Sequence, residues 1–199
     1  MNEKLHCVLV VGGTRGIGLE LVRQFLDLKP TLLIATYRSL ETAGELQELA
    51  AQNQALKLLK LDLADVESFA SFATQVDQLT GDHGLTILVH NAGILINDHC
   101  GSITQDGLMR ALTTNAVAPV LLTQHLLPTI QRSASKVENT KAVYISSCLG
   151  SIKRNDGDRP SHRMSKAALN QGKQFLLLAT NIEFRKNLIP KLNLMNRFA

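Results

Sequence analysis

Gly12, Gly16 and Gly18 stand between an apolar run, Val8–Val11, and a helical pattern, and that arrangement can seat an anion. Glycine lets the backbone turn sharply and approach another molecule with no Cβ in the way. Free backbone N–H groups and the positive end of the following helix then face a phosphate. A tight strand-to-helix turn with no ligand would use the same residues, so the turn alone leaves both readings open. Polar residues also follow other apolar runs: Arg38, Asp62, Asn91 and Ser147. With Gly12 they would share one edge of a sheet, where open α/β folds bind their ligands. Packing alone does not ask for five such positions.

The elements that would place them can be read from apolar periodicity. Val8–Val11 is too short for a helix and reads as a buried strand. Ile17, Leu21, Phe25 and Leu28 fall on one face of the helix behind it. Strands are expected at Thr31–Thr36, Leu56–Leu61, Leu85–His90 and Ala142–Ser146, with a sixth at Leu188–Leu194. Helices are expected at Leu40–Asn53, with Leu46, Leu49 and Ala50 inward, and after Asp65, which would cap a face of Val66, Phe69, Ala73 and Val76. A long helical stretch, Gln105–Gln131, contains Pro119 and Pro128, so a kink or break is expected there. Ser147–Ser161 is a polar loop, and His162 to about Thr180 is the last helix. Strands alternating with helices give a parallel sheet covered on both sides.

Composition narrows the class. The length suits one domain with a large core. No stretch is long and uncharged enough to span a bilayer, and with the first strand beginning so early no signal or transit sequence is expected. Cys7, Cys100 and Cys148 have no metal-ligand spacing, so reduced thiols and a cytoplasmic location are expected, with no metal site. The net charge of +4 suits an anionic small ligand as well as it suits nucleic acid, but no aromatic-basic interleaving marks a nucleic-acid surface.

The chain resembles the short-chain dehydrogenase/reductase family, and in particular its small carbonyl-reductase-like members. Gly12, Gly16 and Gly18 match that family's Thr-Gly-x-x-x-Gly-x-Gly turn, with Val11 where Thr is usual. Asn91-Ala92-Gly93 matches its Asn-Asn-Ala-Gly segment, with His90 for the first Asn. Asn115, Ile145-Ser146-Ser147 and Arg163–Asn170 match the catalytic-helix Asn, the serine-bearing strand end and the lysine-bearing helix. The match runs to about residue 180. It implies a Rossmann-like, doubly wound parallel sheet in three layers, one domain over residues 1–199 that lacks the family's last strand. Two departures stand out: His162 holds the place of the family's Tyr, four residues before Lys166, and the chain ends at Ala199, before a further strand-helix unit.

The resemblance implies a nicotinamide dinucleotide held by Gly12, Thr14, Arg15, Gly16, Ile17, Gly18, Arg38, Ser39, Asp62, Leu63, Asn91, Ala92, Gly93 and Lys166. NAD-preferring sites carry an acid after the second strand, whereas this chain has Tyr37-Arg38-Ser39 there and Arg15 in the glycine turn, which favours NADP(H) over NAD(H). Asp62 would accept from the adenine amino group or cap the next helix. Ser147 would hydrogen-bond a carbonyl oxygen, Lys166 would bind the ribose hydroxyls, and Asn115 would hold a relay water; a turn serine and a locally bonded helix Asn are the plainer alternatives. His162 would replace the usual acid poorly. Its donor atom retreats by roughly 2 Å, and a misplacement of about 1 Å can cost a hundredfold. The expected function is hydride transfer between the nicotinamide and a small carbonyl or alcohol substrate, with weak activity; a catalytically silent NADP-binding relative is the alternative. The family pairs through the helices at Gln105–Gln131 and His162–Thr180, which implies a homodimer or tetramer. Leu121, Leu122, Leu126 and Leu127, and Phe175 to Leu178, exceed what one buried face needs, although deep burial within one molecule would also use them.

Overall fold

A computed structural model describes residues 5–138 and 140–180. Five parallel strands form one sheet in the order β3-β2-β1-β4-β5. They are β1 (Cys7–Val11), β2 (Leu32–Tyr37), β3 (Leu56–Lys60), β4 (Ile87–His90) and β5 (Lys141–Tyr144). The helices are α1 (Gly16–Asp27), α2 (Gly44–Gln52), α3 (Phe69–Thr80), α4 (Gln105–Leu112), α5 (Ala118–Ala134) and α6 (Pro160–Thr180). The strand order reverses between β1 and β4, which opens a crevice at their carboxyl ends.

The sheet is apolar on both faces because both are covered. Val8 and Val10 of β1 pack with Leu21, Val22 and Phe25 of α1 and Leu46 of α2. Cys7, Leu9 and Val11, pointing the other way, pack with Phe69, Phe72 and Val76 of α3 and Leu122 and Leu126 of α5. The result is a Rossmann-like three-layer α/β domain. Each fully buried Leu, Val or Phe contributes about 1.5–3 kcal/mol relative to exposure, so these two clusters are the main source of its stability.

Several elements differ from the expectations. The helix expected at Leu40–Asn53 begins at Gly44, after a single 3₁₀ turn at Leu40–Thr42, and Leu49 and Ala50 are only half-buried. Asp65 precedes a 3₁₀ turn, Val66–Ser68, but its side chain makes no capping bond. The long helix is interrupted, as expected, and just ahead of one of its two prolines. A π turn at Thr113–Val117 separates α4 from α5. Pro119 follows that turn directly and cannot donate the N–H that a regular helix would use there, whereas α5 runs through Pro128. Leu122, Leu126 and Leu176 are buried within the molecule, whereas Phe175 and Leu178 of α6 are 63% and 73% exposed. The sixth strand expected at Leu188–Leu194 lies outside the described residues. No helix among the described residues is long and apolar enough to cross a membrane.

Candidate active site

The glycine turn is sewn to both neighbouring strands. Gly12 N donates to Thr36 Oγ1 at 2.9 Å and Gly13 N to the Thr36 carbonyl at 3.0 Å, which ties the turn to β2. Asn91 N and Ala92 N donate to the Val11 carbonyl, and Asn91 Nδ2 to the Gly12 carbonyl at 2.9 Å, which ties it to β4. One hydrogen of the Asn91 side-chain amide thus helps to shape the turn. Thr36, its anchor on β2, carries no sequence signal for this role. Gly12 has a φ of +86° and Gly16 of +54°, where a side chain would be strained. Arg15 is the N-cap of α1 yet makes no side-chain capping bond, and the first turn holds no acid. That helix start is open to an anion, with Thr14 half-buried and Arg15 and Gly16 exposed beside it. Ile17, on the same helical face as the buried Leu21 and Phe25, is not itself buried. It is 41% exposed, because the first turn of α1 projects past the sheet edge into the crevice.

Along the same edge, Arg38 is exposed immediately after β2. A depression beside it is lined by Tyr37, Arg38, Ser39, Leu40, Glu41 and Lys60, so two cations, one carboxylate and two hydroxyls meet there. Lys60 comes into this group because β3 pairs Lys60 with Tyr37, a register that sequence alone does not give. Ser39 Oγ accepts from Glu41 N, keeping its own hydrogen free to donate. Asp62 Oδ1 accepts from Ala64 N at 3.0 Å, so it closes a tight turn and does not cap α3. Leu63 is buried, so any contact it made with a ligand would come from its backbone.

Under the β4 end, one backbone unit organises the remaining residues. Ile94 N donates to Asn115 Oδ1 at 2.8 Å, and the Ile94 carbonyl accepts from Asn115 Nδ2 at 2.8 Å and from His162 Nδ1 at 3.3 Å. Asn115 Nδ2 also donates to Ser165 Oγ at 2.9 Å. Both amide hydrogens are therefore taken, by partners 21 and 50 residues away. Asn115 is neither a locally bonded helix residue nor a side chain with a hydrogen left for a relay water; such a water would have to sit on the backbone. Lys166 Nζ donates to the Ile145 carbonyl at 2.9 Å, and burial pushes its pKa down to about 8. A Cβ added to Gly93 would lie 3.1 Å from Asn115 Oδ1 and 3.6 Å from Lys166 Nζ, so glycine keeps this floor open. Ser147 Oγ accepts from Leu149 N, capping a turn, and retains its O–H to donate outward. His162 is held below the ordinary imidazole value, first by burial and then by the charges of Lys166, Arg159 and Arg163, against the pull of the Ile94 carbonyl.

Asp98 and Arg163 hold this floor in place. Asp98 reaches α6 from the β4–α4 loop: Ser161 N donates to its Oδ1 at 3.4 Å and Ser161 Oγ to its Oδ2. It caps the helix that carries His162 and Lys166, from 63 residues away. Arg163, buried, donates to the Asp158 and Arg154 carbonyls and to Asp156, which pins the loop ahead of α6. Asp98→Ala removes the cap and leaves the buried Ser161 hydroxyl unpaired. The expected cost is about 2 kcal/mol, which lowers Tm by about 4–8 °C in thermal unfolding followed by circular dichroism. An unchanged Tm would remove Asp98 from this role.

Tyr144 cannot stand in for the missing phenol. It is buried, bonded to Thr123 Oγ1 at 2.6 Å and stacked on His90 at 4.7 Å between ring centroids, and burial raises its pKa. His90 is itself buried, which pushes its pKa down to about 3 and keeps it neutral.

Comparison with known proteins adds the family. The family model described as short chain dehydrogenase matches residues 6–180. An uncharacterized oxidoreductase of Schizosaccharomyces pombe is 31% identical over 172 residues, which make up 85% of this chain and 66% of that protein. The chain thus spans just under two thirds of that relative's length. Carbonyl reductase Sniffer of D. melanogaster superposes with a TM-score of 0.85 at 32% identity, over 89% of this chain and 77% of its own. An NADPH-bound carbonyl reductase from chicken fatty liver does so with a TM-score of 0.84 at 32% identity, over 88% of this chain and 71% of its own. A parallel sheet with its glycine turn at the strand-order reversal, matched by that family model over residues 6–180, makes this chain a member of the short-chain dehydrogenase family.

Proposed function

We propose that the chain is an NADP-dependent oxidoreductase acting between a small carbonyl compound and its alcohol. The observation that carries this is the floor of the crevice, where Gly93, Asn115 and Lys166 Nζ converge within reach of one added methyl group. A dinucleotide would lie across the β1/β4 reversal, with its phosphates on the open start of α1 and its ribose on Lys166. When bound, it supplies or takes up a hydride at the nicotinamide. The chain's own residues do the rest. Ser147 offers its O–H to the substrate oxygen, the Lys166 ammonium stabilises negative charge beside it, and His162 handles the proton.

The exposed Arg38, the Lys60 beside it and the lack of an acid at the end of β2 support the 2′-phosphorylated cofactor. NADPH titrated into the full chain, followed by dihydronicotinamide fluorescence against a protein with no Trp, is expected to bind more tightly than NADH. Arg38→Asp removes a charge-assisted contact worth about 1.5–3 kcal/mol, so NADPH affinity should fall about tenfold to a hundredfold while NADH changes little. Equal affinities in the parent chain would overturn the NADP assignment, and binding of neither would overturn the oxidoreductase reading. A cytoplasmic location and a homodimer or tetramer paired through α5 and α6 complete the proposal; the outward Phe175 and Leu178 support the pairing, and size-exclusion chromatography tests it. The second reading, a silent NADP-binding relative, is favoured by one observation: His162 spends its Nδ1 hydrogen on the Ile94 carbonyl.

A further inference from the structure

We infer that His162 is a proton acceptor working through Nε2, so that the site rests in the form that oxidises an alcohol and must be protonated before it can reduce a carbonyl. The inference rests on the oxidoreductase reading above and adds to it the resting protonation state and the substrate form that this state takes. A carbonyl oxygen can only accept, so the contact between His162 Nδ1 and the Ile94 carbonyl places the ring hydrogen on Nδ1. A neutral imidazole carries one N–H; its other nitrogen, Nε2, is then a bare lone pair.

The tautomer is set by backbone that cannot easily move. Asn115 grips Ile94 on both its N–H and its carbonyl, and Asp98 fixes the start of α6 one residue before His162. The charges around the ring favour the neutral form. Lys166 lies one turn along α6, and Arg159 and Arg163 flank the ring from the loop and the helix. Asp158 and Asp156 partly offset those two arginines, and the Asp98 carboxylate lies at Ser161. The net effect, with burial the largest cause, puts His162 below its ordinary 6.5. Near neutral pH the ring is a base without a transferable proton.

The step that follows is balanced. The alcohol O–H bond breaks toward Nε2, directly or through one water, and its electron pair forms the C=O bond. The carbon-bound hydrogen leaves with its pair as hydride to an oxidised nicotinamide, and the imidazolium returns its proton to solvent. Reduction reverses each event and draws on the minor imidazolium form.

Two measurements on the full chain test this. Long-range proton–nitrogen NMR of the ¹⁵N-labelled protein reads the tautomer, with His162→Gln identifying the signals by their loss. The expected result at pH 7.5 is a neutral ring with hydrogen on Nδ1; hydrogen on Nε2, or an imidazolium at that pH, overturns the inference. The second compares kcat/KM for cyclohexanol with NADP and for cyclohexanone with NADPH between the ordinary imidazole value, 6.5, and the Lys166 value, about 8. The overall equilibrium shifts about tenfold per pH unit whatever the mechanism, so the informative point is which direction carries the slope. Oxidation is expected to be flat while reduction falls; flat reduction with rising oxidation overturns the inference. NADPH titration of the same sample separates the two levels. If nothing binds, the oxidoreductase reading fails while the tautomer stands on its own spectrum; if NADPH binds and the ring carries hydrogen on Nε2, the inference fails alone.

Discussion

Gly18→Ala is expected to abolish NADPH binding, with affinity falling by at least about a hundredfold, and to cost the fold about 3 kcal/mol. A Cβ at Gly18 would overlap the Gly12 carbonyl oxygen and lie 2.5 Å from Asn91 Nδ2. Neither neighbour can yield alone, because Asn91 Nδ2 already donates to that carbonyl at 2.9 Å and Gly12 N is tied to Thr36. Relief therefore requires α1 to move away from β1, which pulls the open helix start out of register with the crevice. Gly16→Ala is the control. Nothing lies within 4 Å of its added Cβ, so only its φ of +54° is strained, and a smaller loss of about 1 kcal/mol is expected. Chemical denaturation and NADPH titration of the two variants separate crowding from backbone strain. Equal effects would mean that the close approach of Gly18 to Gly12 is not what shapes the seat.

The contrast between these glycines also shows what could be read from the chain itself. The apolar run Val8–Val11 followed by glycines states its own structure, because a short buried strand and a sharp turn are local properties. Ile17 shares a helical face with Leu21 and Phe25 yet is exposed, because periodicity holds at every turn of a helix whereas burial does not. The interruption ahead of α5 is legible from Pro119, a residue with a known local effect. The partners that Asn115 finds from that turn, Ile94 and Ser165, are announced by no local pattern. Asp98 was invisible for the same reason: an acid in a loop becomes a cap only once the fold brings Ser161 to it. What escaped the sequence is therefore mostly the support beneath the site. The glycine turn is legible from its own pattern and Ser147 and Lys166 only through the family resemblance, while the residues that hold them in place carry no such signal.

His162→Tyr is expected to raise carbonyl reduction by about a hundredfold or more with little change in NADPH affinity. The imidazole leaves the proton-bearing atom short of a substrate oxygen, and its one hydrogen in the neutral state is turned away toward Ile94. A phenol removes both defects. It extends further from the same Cα, and its O–H lies at its tip. His162 is only half-buried, so the longer side chain can reach outward. The Ile94 carbonyl loses one partner but keeps Asn115 Nδ2 at 2.8 Å, so no buried acceptor is orphaned. Lys166, one helical turn away with its Nζ fixed on the Ile145 carbonyl, would draw the phenol toward ionisation and ready it to exchange a proton. The pH behaviour should change with the residue. Where the parent loses reductase activity as pH rises above the imidazole value, the variant should hold it up to the range in which the Lys166 ammonium, at about 8, loses its own proton. Steady-state rates for cyclohexanone with NADPH, beside the same NADPH titration, decide the matter. A gain makes position 162 the limit on an otherwise working site. Intact binding with no gain would turn the conclusion to the silent relative, a nucleotide-binding fold whose floor is kept for holding the cofactor.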